Sequence, residues 1–262
     1  MKHTRIFMGF VFAASLLAPA AKSMASQTLT TTLPARETQT STTSQTKNPI
    51  VRLFHQRSVT SGLIGAYVTG AALGVLDWAG LHNLDHPVHQ DTSGLWSIAR
   101  AGQFPAELIG LTLAGAVWEG GQNRLGRTLW QSLDAAAIAG ISTQALKFTF
   151  QRKRPSQTSN PNEWFQGMHA QSFPSGDVSS ITALVTPLIL EYHRTDPWVD
   201  TLAAVPAFDM VARVKAHGHW QTDVVSGAVV GAVSGYFAHR FKEPFILSLL
   251  PNGFEVGLRK GF

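Results

Sequence analysis

The chain has 262 residues, a formal net charge of +5, 44% hydrophobic residues and no cysteine. That length suits one globular domain with additional segments, and the missing cysteines exclude disulfide staples and a lipid attached through a thiol. Without residues 1–25 the chain loses Lys2, Arg5 and Lys22, leaving 18 basic against 16 acidic residues, a net of +2. So small an excess gives no reason to expect a nucleic-acid partner.

The first 25 residues read as a secretory signal peptide. Lys2 and Arg5 precede an apolar run over 6–21, and Ser23-Met24-Ala25 places small residues three and one before the expected cut. The alternative is an uncleaved anchor helix. A cleaved signal and a cysteine-free chain predict a periplasmic protein. Residues 26–49 follow as a disordered linker: between Ser26 and Thr46, twelve of twenty-one positions are Ser or Thr, too polar to bury a core. Residues 50–243 are predicted to form a single all-α domain, a helical bundle. Its expected helices cover 59–78, 105–118, 127–150, 177–192, 199–214 and 222–241, with Pro187 and Pro206 expected to kink or split two of them. Residues 244–262 read as an extended tail or short β-hairpin around Pro251-Asn252-Gly253.

A membrane-spanning helix needs about 20 mostly apolar residues. Residues 58–76 are uncharged but diluted by Gly, Ser and Thr. The other runs are shorter or interrupted by Glu107, Asp134, Glu191 or Asp209. The expectation is a soluble or membrane-associated domain. A polar cluster at His82, Asp85, His86, His89 and Asp91 contains metal-ligand residue types, but its spacing matches no recognisable site and Pro87 breaks any helical face. It is expected to be a solvated loop.

Three further stretches carry possible chemistry. Lys147 and Arg154 are seven residues apart, close to two helical turns, with Pro155 expected to end the helix just past them. Ser175, Gly176 and Asp177 follow Pro174 and open a helix, whose free N–H groups attract an anion. Arg213, His219 and Asp223 come last. If His219 and Asp223 share the first turns of a helix, their spacing of four puts both on one face. Asp223 could then take the protonated ring nitrogen of His219 and leave the other as a nucleophile, while Arg213 offers a fork to an anion. Each stretch read alone is also an ordinary feature: a basic helix end, a helix cap, or a polar helix start.

Taken together, Lys147…Arg154-Pro155, Pro174-Ser175-Gly176-Asp177 and Ala212-Arg213…His219…Asp223 resemble the type 2 phosphatidic acid phosphatase family, which includes bacterial class A acid phosphatases and vanadium haloperoxidases. Order and spacing match the family pattern over roughly residues 127–240. Two positions depart from it: Ala212 stands where the family has serine, and Asp177 where it has the histidine used as general acid. The resemblance implies the helical-bundle fold of that family and a phosphatase needing no metal or cofactor. In it His219 is the nucleophile that becomes a phosphohistidine, and Asp223 orients and stabilises it. Lys147, Arg154, Ser175, Gly176 and Arg213 bind the phosphoryl oxygens. The implied substrate is a phosphorylated lipid, an isoprenoid phosphate or a small organic phosphate. Asp177 is left with the acid's position, although an ordinary aspartate, with a pKa of about 3.9, is already ionised at neutral pH. It could be protonated by burial or in acid, be relieved by a good leaving group such as phosphate from a diphosphate, or be replaced as donor by His217 or His169. A vanadate-dependent peroxidase and a catalytically silent phosphate- or lipid-binding envelope protein are the alternatives.

Overall fold

The computed structural model describes residues 57–99, 102–241 and 244–246, all within the compact unit Thr46–Phe262. The helices are α1 (Arg57–Ala79), α2 (Gln103–Glu119), α3 (Arg124–Phe150), α4 (Gly176–Tyr192), α5 (Ala204–Lys215) and α6 (Gln221–His239), with 3-10 turns at Leu81–Leu84, Gly94–Ser97 and Pro197–Ala203. No strand occurs among the described residues. The fold is all-α.

Helix α3 is the axis. Its apolar and small residues are buried on successive turns, and it packs against α1, α2, α4 and α6. Ile138, Leu146 and Phe150 join Phe173, Trp164 and Val230 in the main core. Helices α4 and α6 form the most extensive pair, and glycines set their closeness. A Cβ on Gly227, Gly231 or Gly235 would lie 2.5 Å from the Ser175 carbonyl oxygen, 2.3 Å from that of Ser179 and 2.4 Å from the Thr186 Cβ, respectively. These residues recur every four positions, so one stripe of α6 lies directly on α4.

Local chemistry explains where elements stop. Asn123 caps α3 by accepting from the Gly126 N–H at 2.7 Å. At the other end Gln151 adopts the left-handed conformation (φ 44°) and its N–H returns to the Lys147 carbonyl. The helix therefore ends at Phe150, before Pro155, and Arg154 lies in the irregular segment beyond it. The predicted helix over 199–214 divides into the 3-10 turn and α5, with Pro206 in the first turn of α5, where no intrahelical N–H is required. Helix α4 is not split; it continues through Pro187 to Tyr192.

The expected solvated loop over 82–91 needs correction. His82 and Asp85 are buried. The His82 ring bonds the Asp77 carbonyl at 2.7 Å, and Asp85 accepts from the Thr222 N–H at 2.9 Å, capping α6 from outside. His86 and His89 are exposed as expected. Phe245 and Ile246, where the tail's first strand was expected, have helical backbone. The rest of that hairpin, the signal peptide and the linker lie outside the described residues.

By length and composition alone, Val59–Ala79 is long and apolar enough to cross a membrane, with a mean hydropathy of 1.6 and most of its length unburied. Ile64, Val68, Val75, Leu76 and Trp78 on it are exposed, as are Leu111, Leu113, Val117 and Trp118 on α2.

Candidate active site

Six of the eight predicted site residues, all but Ser175 and Asp223, line one cleft of about 710 Å³. Lys147, Arg154, Gly176, Asp177, Arg213 and His219 line it, together with Thr92, Trp96 and Ser97. Lys147 comes from the last turn of α3 and Arg154 from the loop after it, and they meet at one acceptor. Lys147 Nζ donates to the Gln171 carbonyl at 2.7 Å and Arg154 Nη2 donates to the same oxygen at 3.3 Å, while Arg154 Nη1 donates to the Gly218 carbonyl at 3.0 Å. The two cations converge although they do not share a helix face.

Burial, reinforced by the charge of Arg154, pushes the Lys147 pKa down to about 8, against the pull of Asp223 and Asp177. Arg213, near the end of α5, lies between two carboxylates: its Nε donates to Asp209 at 3.1 Å and its Nη1 is 3.0 Å from Asp177. Burial raises the Asp209 pKa to about 6, with Arg213 opposing.

His219 precedes α6 and is buried. Its Nδ1 lies 2.7 Å from the Ser172 carbonyl. A carbonyl only accepts, so Nδ1 carries the proton and Nε2 keeps its lone pair. Burial first, then the charges of Lys147 and Arg154, hold the imidazole pKa well below its usual value, although the Ser172 bond works the other way. The ring is neutral at pH 7, as a nucleophile requires.

Asp223 differs from its expected geometry. It is 3.9 Å from His219 Nδ1, with the Ser172 carbonyl occupying the direct hydrogen-bond position. The reason is local: His219 lies outside α6, so the four-residue spacing does not put the two side chains on one helical face. Asp223 Oδ2 instead accepts from the Trp220 N–H at 2.9 Å and the Ser172 hydroxyl at 2.5 Å, and its Oδ1 accepts from Arg152 at 2.7 Å.

Ser175 is fully buried and does not line the cleft. Its hydroxyl has no hydrogen-bond partner among the described residues, while its N–H donates to the Asp223 carbonyl at 3.0 Å. Gly176 and Asp177 reach the cleft from the first turn of α4. Neither alternative proton donor does so. The His217 ring is tied to the Val88 carbonyl at 2.7 Å, and His169 is exposed on the 161–170 loop.

Sequence reasoning missed Arg152, Ser172, Asp77, Asp85 and Asp209. Arg152 reads as one more cation in Gln151-Arg152-Lys153-Arg154, yet it is completely buried. Its carboxylate partners are 67 to 75 positions away, where no local pattern reveals them.

Residues 128–246 match the family model of the PAP2 superfamily. The chain is similar to a lipid A 1-phosphatase of Porphyromonas gingivalis, with 28% identity over 151 residues, 57% of this chain and 31% of the relative. It thus spans about a third of that relative's length. No solved structure gives a significant match. Three motifs in order, a helical bundle that gathers most of their residues in one cleft and the family match agree: residues 128–246 match the PAP2 superfamily, the type 2 phosphatidic acid phosphatase family.

Proposed function

We propose that the chain is a metal-independent phosphatase that cleaves phosphate monoesters or diphosphates of lipid type through a phosphohistidine on His219. The observation that carries this reading is His219 itself: a neutral imidazole with its proton fixed on Nδ1, in a cleft with Lys147, Arg154 and Arg213. In the first step Nε2 attacks phosphorus, the N–P bond forms and the bond to the leaving oxygen breaks. The three cations neutralise the phosphoryl oxygens, and that preorganised charge is the main source of acceleration. The Nδ1 proton stays in place, so the ring becomes cationic beside Asp223. Water then attacks phosphorus, the N–P bond breaks and the neutral imidazole returns.

The leaving oxygen finds no histidine acid. Asp177 occupies that position and is paired with Arg213, a poor arrangement for donating a proton. The reading therefore favours substrates whose leaving group departs as a stable anion, diphosphates above simple alkyl monoesters. A lipid substrate is supported by the similarity to a lipid A 1-phosphatase and by the exposed apolar faces of α1 and α2, which suit a membrane-associated protein. The amino-terminal signal supports export to the periplasm.

The test is phosphate release by the purified protein with chelator present, over a pH series, on phosphatidic acid, an isoprenoid diphosphate and a soluble aryl phosphate. His219→Ala abolishes release and phosphohistidine trapping if the reading holds. Undiminished release by that variant, or none by the unmodified protein on any substrate, rejects it.

A further inference from the structure

The carboxylate that serves the nucleophile does not touch it; of two residues that are not motif positions, Ser172 bridges the gap and Arg152 holds the carboxylate from behind. Ser172 is completely buried and works at both ends: its hydroxyl donates to Asp223 Oδ2 at 2.5 Å and its carbonyl accepts from His219 Nδ1 at 2.7 Å. Behind Asp223 stands Arg152, also completely buried. Its Nη1 donates to Asp223 at 2.7 Å, to Asp77 at 3.0 Å and to the Thr222 hydroxyl at 2.9 Å, and its Nη2 donates to Asp85 at 2.6 Å and to the Pro161 carbonyl at 2.8 Å. The guanidinium also lies 4.4 Å from the Trp164 ring centroid and 5.6 Å from that of Trp220. A buried cation is costly, and a bundle that needed only packing here would be served as well by apolar side chains. This one is held by carboxylates from α1, from the segment after the first 3-10 turn and from α6, and it touches the carboxylate nearest the nucleophile.

We propose that Ser172 and Arg152 are positioning residues that deliver the charge of Asp223 to His219, Arg152 by fixing the carboxylate and Ser172 by joining it to the imidazole. The inference rests on the phosphohistidine reading and adds what makes that intermediate accessible. When Nε2 bonds to phosphorus, the imidazole becomes cationic without losing its Nδ1 proton. The Ser172 carbonyl then accepts from a charged donor, and a charge-assisted bond is stronger than a neutral one. Asp223 at 3.9 Å supplies the opposing charge. The Ser172 hydroxyl holds the two acceptors in register, so the stabilisation grows as the intermediate forms.

The decisive variant is Ser172→Ala, a small change that leaves the backbone carbonyl in place. Arg152→Lys accompanies it, keeping the cation but removing the fork. Rapid-quench measurement of phosphohistidine formation, steady-state kinetics, thermal melting and NMR of the His219 ring protons are read on the full chain. The expected result for Ser172→Ala is a loss of about ten- to a hundredfold in kcat and in phosphohistidine formation, the scale of one bond to a charged group. KM should stay within about twofold of the unmodified protein, since no phosphate ligand has moved. The Nδ1 proton should lose its downfield position and exchange faster with water. Arg152→Lys, where it folds, should move the same readouts the same way; where it does not, Ser172→Ala decides. A Ser172→Ala protein with kcat within about twofold of the original and an unaltered Nδ1 proton overturns the proposal. The proton readout needs no turnover. It therefore judges the Ser172 link even if His219→Ala shows that the phosphohistidine reading is wrong.

Discussion

Gly227 offers a way to disturb the candidate site without altering any residue that lines it. It lies on α6, where an added Cβ would be 2.5 Å from the Ser175 carbonyl oxygen and 3.3 Å from both the Ser175 carbonyl carbon and its Cβ. Ordinary contact begins near 3.4 Å, so a methyl group displaces the Ser175 backbone by about 0.9 Å. Ser175 leads into Gly176 and Asp177 at the cleft, and its N–H bond to the Asp223 carbonyl ties that turn to α6. A misplacement of about 1 Å at a reacting site costs about a hundredfold in rate. Overpacking costs roughly 1–3 kcal/mol, offset by the roughly 0.5–1 kcal/mol that alanine gains over glycine within a helix. Gly227→Ala should therefore melt only modestly earlier and lose about two orders of magnitude in kcat/KM. Gly235→Ala is the control. Its Cβ meets the Thr186 Cβ at 2.4 Å, a comparable overpacking eight residues along α6, about 12 Å further from the cleft. Steady-state phosphate release and thermal melting on both variants decide. Equal activity losses, or a Gly227→Ala protein with unchanged kcat/KM, would refute the argument that the α4 turn is held in place through α6.

Three other outcomes follow from the charges. Lys147, with a pKa near 8, loses its proton above that pH, so KM should rise as pH passes through 8, and Lys147→Arg should move that limb upward; a KM flat to pH 10 contradicts it. Asp177→His restores a proton donor and should raise the rate on an alkyl monoester far more than on a diphosphate; equal gains on both would sink the leaving-group argument. Asp134 is fully buried, and burial raises its pKa to about 7 against the bonds it accepts from the Phe245 and Ile246 N–H groups. A carboxyl whose folded pKa is raised carries its cost above that pKa and is relieved as pH falls. The unmodified protein should thus gain stability relative to Asp134→Asn between pH 8 and 5, by roughly 2–3 kcal/mol, and parallel melting curves for the two proteins would contradict this.

The first helices were legible because their apolar runs lie between local breaks: Gly80 follows α1, Gly102 and Gly120 bracket α2, and Asn123 caps the start of α3. At the end of α3 the apolar run over 127–150 stops at Phe150, where the helix does end, whereas the Lys147–Arg154 spacing carried the helix on to Pro155; Gln151, not a glycine, takes the left-handed turn that leaves Arg154 beyond it. In the site, the groups proposed to touch substrate were legible because their spacing is fixed within short segments. The groups behind them were not. Asp77, Asp85 and Asp223 reach Arg152 from three separated segments, and only the packed bundle brings them together.

Asp177 shows the same division between what spacing reveals and what packing adds. In the sequence it is a missing general acid. In the fold it is a carboxylate on Arg213, with Asp209 on the same guanidinium. Lys147 and Arg154 meet backbone carbonyls at Gln171 and Gly218, whereas Arg213 meets two acids. A phosphate entering the cleft must therefore share Arg213 with Asp177, and part of its attraction to that cation is offset by repulsion between like charges. The phosphoryl group transferred from a diphosphate is its terminal one, which brings about the same charge beside Asp177 as a phosphate monoester does, so this repulsion weakens ground-state binding of both classes alike. The preference for a diphosphate therefore comes from its leaving group, which departs without the proton that a histidine at position 177 would supply.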